Sequence, residues 1–182
     1  MKLSEVILVP RQQSSGLDLS KFNNLKRFKK AKVEKYPLLY KKSGETYFFA
    51  LELDDKLRVF LVAKEISDIK NAIMIKRSFV DNSYRNQGLM TALYNTLNNQ
   101  GFTLISDREL SPESLSIWKR LKSIHPVKVI NRDTKEIRDL SKDDFLPNSD
   151  ERELDHFILE ERRWGPLKNN DLVEELNIFI KR

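Results

Sequence analysis

The chain reads as an α/β protein: a mixed, mostly antiparallel sheet with flanking helices. Three observations carry that reading. First, Thr46–Leu53 (TYFFALEL), Lys56–Ile66 (KLRVFLVAKEI) and Ala72–Val80 (AIMIKRSFV) are runs rich in β-branched and aromatic residues, joined by short loops, so they form an antiparallel meander. Second, Leu89, Met90, Leu93, Tyr94 and Leu97 recur on one face of a helix. Third, residues 102–107 follow as another strand, and a strand–helix–strand crossover pairs its strands parallel with a right-handed turn.

In order along the chain, residues 2–10 read as a first strand ending at Pro10, followed by loop-like sequence. In 21–35, Phe22, Leu25, Phe28 and Val33 stand among basic residues, the period of an amphipathic helix. Its cluster of Lys26, Arg27, Lys29, Lys30 and Lys32 is either a nucleic-acid contact or a solvated face. Pro37 ends that element, and Ser43-Gly44-Glu45 is a turn. Asp54-Asp55 is a tight hairpin loop, and Asp81, Asn82 and Ser83 carry loop chemistry. Gly101 stops the helix that begins near Leu89. Ser111 is a good N-cap with Pro112 at N1 for a second helix. Residues 127–131 form a strand and 135–140 contain one more. Residues 151–163 read as helical through Leu154, Phe157 and Ile158, and 170–180 as a last amphipathic helix. The expected organisation is a main domain over 1–150 with a helical extension, 151–182, packed on it.

The 182 residues suffice for a real core, and 40% hydrophobic with 33% charged residues is a globular balance. The absence of cysteine excludes disulfides, thiolate metal sites and a thiol nucleophile. His125 and His156 stand far apart without metal-ligand spacing, so no metal is expected. No run approaches a membrane span, and the apolar patch in MKLSEVILVP is too short for a signal-peptide core, so the expected compartment is the cytoplasm. The net charge of +6 suits an acidic partner, such as nucleic acid or a phosphate-rich ligand, or a solvated surface.

The most informative stretch is Tyr84-Arg85-Asn86-Gln87-Gly88-Leu89-Met90, where strand, loop and helix meet. A glycine at a helix start lets backbone approach a ligand, and the unpaired first-turn N–H groups favour negative charge. With Arg85 beside it, this is a pyrophosphate cradle. It is not a P-loop, since Gly-Lys-Ser/Thr is absent, nor a dinucleotide fingerprint, since it has one glycine. With the preceding Phe79-Val80-Asp81-Asn82-Ser83-Tyr84, it resembles motif A of the GNAT N-acetyltransferase superfamily, where Arg/Gln-x-x-Gly-x-Gly/Ala follows a strand ending in Val-x-Pro-x-Tyr. Asn82 replaces the common proline, and Met90 the usual small residue. A second segment, Ser111 to Leu121, resembles the family's later helix, Asn-x-x-Ala-x-x-x-Tyr-x-x-Leu, with Ser111, Ser114, Trp118 and Leu121 in those places. Ser106-Asp107 before it, with Ile117-Trp118 on the helix, is similar to small GNAT proteins of bacteriophages. The resemblance covers residues 45–131.

The resemblance implies a GNAT-like fold in which the two parallel strands splay apart at a bulge, and it makes 1–150 an acyl-CoA-binding domain. It implies acetyl-CoA, or another acyl-CoA, as co-substrate. The backbone at Phe79 and Val80 would meet pantetheine, and Arg85, Asn86, Gln87, Gly88, Leu89 and Met90 the pyrophosphate. Trp118 stands at the family's acid tyrosine, and an indole N–H does not serve as a proton donor at neutral pH. The strand IMIKRSFV lacks the carboxylate base many members carry. The candidates left for proton chemistry are Asp107, Ser111 and Glu52, with Tyr84 and Tyr94 as possible acids. The expected function is acyl-CoA-dependent N-acyltransfer to an amine. The alternatives are a nucleic-acid-directed relative, modifying DNA bases or aminoacyl-tRNA, and a non-catalytic partner-binding module.

Overall fold

Tight turns generate the first half of the sheet. In the computed structural model, which describes residues 18–107, 110–145 and 155–160, five consecutive strands pair antiparallel. They are β1 (Lys26–Val33), β2 (Tyr36–Ser43), β3 (Thr46–Leu53), β4 (Lys56–Ile66) and β5 (Ala72–Val80). The first three turns enter the left-handed region at Glu34 (φ 55°), Gly44 (φ 60°), and both Asp54 and Asp55 (φ 50° and 59°). That backbone matches the twist of two-residue hairpins.

The chain then crosses through helix α1 (Leu89–Asn99) to β6 (Thr103–Ile105), which lies parallel to β5. Helix α2 (Pro112–Ile124) follows, with Ser111 Oγ accepting from Ser114 N at 3.1 Å as the N-cap. Strands β7 (Lys128–Asn131), β8 (Ile137–Arg138) and β9 (Asp155–Leu159) complete the described sheet, whose order is β1-β2-β3-β4-β5-β6-β9-β7-β8. The expected mixed, mostly antiparallel sheet with one parallel pair and flanking helices is what forms.

One face of the sheet carries the main core, where Phe49, Leu51, Leu61 and Ile73 meet Leu93, Leu97, Trp118 and Leu121 of the helices. The other face carries a second cluster that includes Phe22, Phe48, Phe60 and Phe79. Sealing both faces explains why Tyr47 to Leu51 is buried without a break. Each such side chain contributes about 1.5–3 kcal/mol of transfer free energy.

Three expectations are corrected. Residues 21–35 are not a helix: a short turn, Leu19–Lys21, ends at their start and β1 follows. The helical period was a coincidence of a bulged strand. The four-residue step from Phe28 to Lys32 faces a single step from Leu38 to Pro37, and this shift lets Phe28 and Val33 enter the same core. Pro37 therefore does not end an element; it sits in β2 beside the bulge, where the ladder needs no donor. Nor is the described part of 151–163 helical. His156, Phe157, Ile158 and Leu159 are all buried, as befits a central strand, and β9 inserts between β6 and β7. The expected strand at 2–10 and helix at 170–180 lie outside the described residues. Among the described residues, no helix is long and apolar enough to cross a membrane.

Candidate functional site

β5 and β6 run side by side for only three residue pairs, Ala72↔Thr103 to Met74↔Ile105. β5 continues to Val80 while β6 stops, so among the described residues no strand pairs with the outer edge of β5 beyond Met74. A bulge marks the parting. The β4–β5 register jumps from Ala63↔Ile75 to Val62↔Arg77, leaving Lys76 as an extra residue in β5. A bulge bends its strand and re-aims the side chain. Lys76 reaches across the gap, where Nζ donates to Asp107 Oδ1 at 2.6 Å.

The cleft so formed offers about 30 Å³ to water, room for one or two molecules. Ile75 to Ser78 make one wall, and Asp107 with Leu110 the other. Tyr94, Ser114 and Trp118 close it from the helix side. Tyr94 is fully buried and its hydroxyl is hydrogen-bonded with Ser78; burial pushes the phenol far above its ordinary range, against the pull of that bond. It therefore stays a neutral proton donor at physiological pH.

Strand β9 fixes the Asp107 side. Ser106 N donates to Phe157 O at 2.9 Å, Phe157 N donates to Ser106 Oγ at 2.8 Å, and His156 Nδ1–H donates to Ser106 O at 2.9 Å. β6 is thus clamped up to the residue before Asp107.

Beyond β5, Asp81 holds the loop. Its N–H donates to Arg58 O at 2.8 Å; its carboxylate accepts from Arg58 Nη1 at 2.6 Å and from Ser83 N at 3.3 Å. Tyr84 donates its hydroxyl to Asp54, tying the β3–β4 turn to the same loop, and the Arg58 guanidinium lies 5.5 Å from the Tyr84 ring. The loop delivers Gly88 to the start of α1 with φ 72° and no side-chain cap. A Cβ there would meet nothing within 4 Å, so the glycine answers to its backbone angle and not to lack of room. Gly88 therefore brings no side chain to cap the first-turn amides of α1. Arg85 stands beside them, Nε donating to Val80 O at 3.0 Å with the guanidinium 5.9 Å from the Phe79 ring.

The sequence-selected residues therefore divide. Asp107 lines the cleft, and Gly88, Leu89 and Met90 open the helix at the end of the same loop as Arg85, Asn86 and Gln87. Phe79 turns its ring into the second cluster, and the Val80 carbonyl is occupied by Arg85. The Ser111 hydroxyl is committed to capping α2, and Ser114, one turn on, lines the cleft. Glu52 pairs with Arg27 at 3.2 Å on β3 and is not part of the cleft. Trp118 is core, 5.9 Å from the Tyr94 ring and 5.7 Å from the Phe157 ring, and its edge also bounds the cleft. Sequence reasoning did not single out Lys76 or Ser78 and named Ser114 only by its motif position; for Lys76 the visible sign was a pair of basic residues inside an apolar strand. Among the described residues, no three His, Asp or Glu side chains gather as a metal site. The cleft brings an ammonium, Lys76, a carboxylate, Asp107, and a neutral phenol, Tyr94, to one gap in the sheet.

The described residues thus form a mixed sheet whose one parallel pair parts at a bulge beside a glycine-led helix. Comparison of the sequence with protein-family models finds no match, and comparison with curated proteins finds none either. Among solved structures, the ribosomal-protein-S18-alanine N-acetyltransferase from Escherichia coli is similar at 16% identity, over 69% of this chain and 76% of that one, with a TM-score of 0.37.

Proposed function

We propose that this chain is an acyl-CoA-dependent N-acyltransferase, with acetyl-CoA as the default donor and an amine as acceptor. The observation that carries the reading is the continuity of one strand with a parted sheet edge and a glycine-led helix start. Among the described residues no strand pairs with the outer edge of β5 after its bulge, and β5 then leads to a helix start whose N-cap, Gly88, has no capping side chain. The free edge suits the pantetheine amides, which would add to the sheet as an extra strand does. The amides from Arg85 to Met90, with the Arg85 side chain, suit the pyrophosphate. Asp107, on the cleft wall, would take the proton that the amine loses. Tyr94, its neutral hydroxyl beside Ser78 in the cleft, would offer the departing sulfur a hydrogen bond. Similarity to small phage proteins rests on the sequence resemblance alone.

Calorimetric titration with acetyl-CoA and with free CoA tests the reading, and saturable binding of both is expected. Gly88→Asp should abolish it by setting a carboxylate against the phosphates. Gly88→Ala is the fold control: it meets no neighbour and costs about 1–2 kcal/mol for its left-handed angle. Equal binding by the Gly88→Asp variant and the parent would remove the loop from the site.

A further inference from the structure

We propose that the first amine acylated in this cleft is the protein's own, Nζ of Lys76. The inference rests on the acyl-CoA reading above and goes beyond it by naming an acceptor. Lys76 is the bulged residue of β5, so the feature that parts the two strands also turns this side chain into the gap. Its Nζ sits 2.6 Å from Asp107 Oδ1 and 4.0 Å from Met74 Sδ. The side chain is 40% exposed, within reach of a ligand in the cleft mouth yet held in one place by its ion pair. The other side chains bounding the cleft offer no amine: Arg77 carries a guanidinium, which stays protonated, and Ser78, Ser114 and Tyr94 carry hydroxyls. A thioester lying along the free edge of β5 therefore meets Lys76 before any amine from solution, with the advantage that proximity confers.

The step balances. The Lys76 ammonium passes one proton to the Asp107 carboxylate, and the nitrogen lone pair attacks the thioester carbonyl carbon. A C–N bond forms and the C–S bond breaks. The sulfur leaves as the CoA thiol, taking the second proton from nitrogen, and Asp107 returns its proton to water. The amide product is neutral, so the ion pair across the cleft is lost, and the Asp107 carboxylate is turned over to the ammonium of an incoming acceptor. The acceptor this geometry fits is a primary amine on a flexible aliphatic stem, as Lys76 is.

The experiment incubates the full-length protein with isotope-labelled acetyl-CoA and maps every lysine by mass spectrometry over time, with CoA binding measured on the same preparation. Lys76 should gain one acetyl group at least roughly tenfold faster than exposed Lys64, and this preference should vanish in denaturant. Lys76→Arg keeps the charge and should lose the label at this site. Asp107→Asn should slow it. Saturable CoA binding with Lys76 labelled no faster than Lys64 would overturn this inference and leave the acyltransferase reading standing. No CoA binding and no preferred lysine would overturn both.

Discussion

His156 shows how burial sets the chemistry of one side chain here. Its ring is 6% exposed and donates Nδ1–H to Ser106 O. Desolvation holds its pKa below the ordinary imidazole value; Arg132 acts in the same direction, while the Ser106 and Asp107 backbone bonds and the Asp107 charge oppose it. The unfolded chain takes up that proton as pH falls through about 6.5, whereas the folded chain resists until lower pH. Stability from this group is therefore present above that range and lost as pH falls below it. Urea midpoints should be lower at about pH 5.5 than at about pH 7.5, and His156→Asn, which keeps a donor for Ser106 O, should flatten part of that slope. An unchanged slope in the variant would mean that the ring protonates in place without cost. The same scale explains which site residues were legible. Gly88 and Arg85 declared themselves because a local backbone need fixes their spacing. Lys76 did not, because its direction depends on a register jump against β4, and Ser111 was over-read because its cap role and a ligand role call for the same hydroxyl.

The strand–loop–helix from Ala72 and the β3–β4 hairpin were legible as elements because their patterns are local: alternation, tight-turn carboxylates, a helical apolar face. β1 and β9 were misread for one reason. In each, apolar residues three or four apart imitate a helix, while the fact that decides the matter is a partner strand distant in sequence. β9 in particular is held from outside its own sequence. Asn98, fully buried in α1, donates Nδ2 to Phe102 O at 3.0 Å, Leu159 O at 3.3 Å and Glu160 O at 2.8 Å, stapling the end of the strand to the helix. Asn98→Ala should cost about 1–3 kcal/mol, because it strands buried carbonyls. The amides of 155–160 should then exchange with deuterium before those of β3 and β4 do. Exchange by hydrogen–deuterium mass spectrometry that rises uniformly across the sheet would show that Asn98 does not act on β9 in particular.

At the scale of the whole molecule, the net charge of +6 has to be set against where charges are already matched. Ion pairs tie strands and loops together through Arg27–Glu52, Lys42–Glu65, Arg58–Asp81, Lys76–Asp107 and Arg138–Asp144, the first two each reaching over an intervening strand. β1 is an edge of the described sheet, and Lys26, Arg27 and Lys32 are exposed along it. A cationic edge strand repels a second copy of itself, which is how sheets avoid pairing edge to edge. That explanation needs no nucleic acid, and it loses nothing when the supposed basic helix becomes a strand. Replacing Lys26, Arg27 and Lys32 together with serine should therefore raise self-association, read by sedimentation velocity, and leave affinity for acetyl-CoA intact. The contrary result is equally definite. If the parent bound tRNA or duplex DNA saturably, and the triple variant lost roughly 0.9 from the log–log salt slope for each phosphate contact removed, the edge would be a phosphate-reading surface, and the search for the amine acceptor would move to nucleic acid.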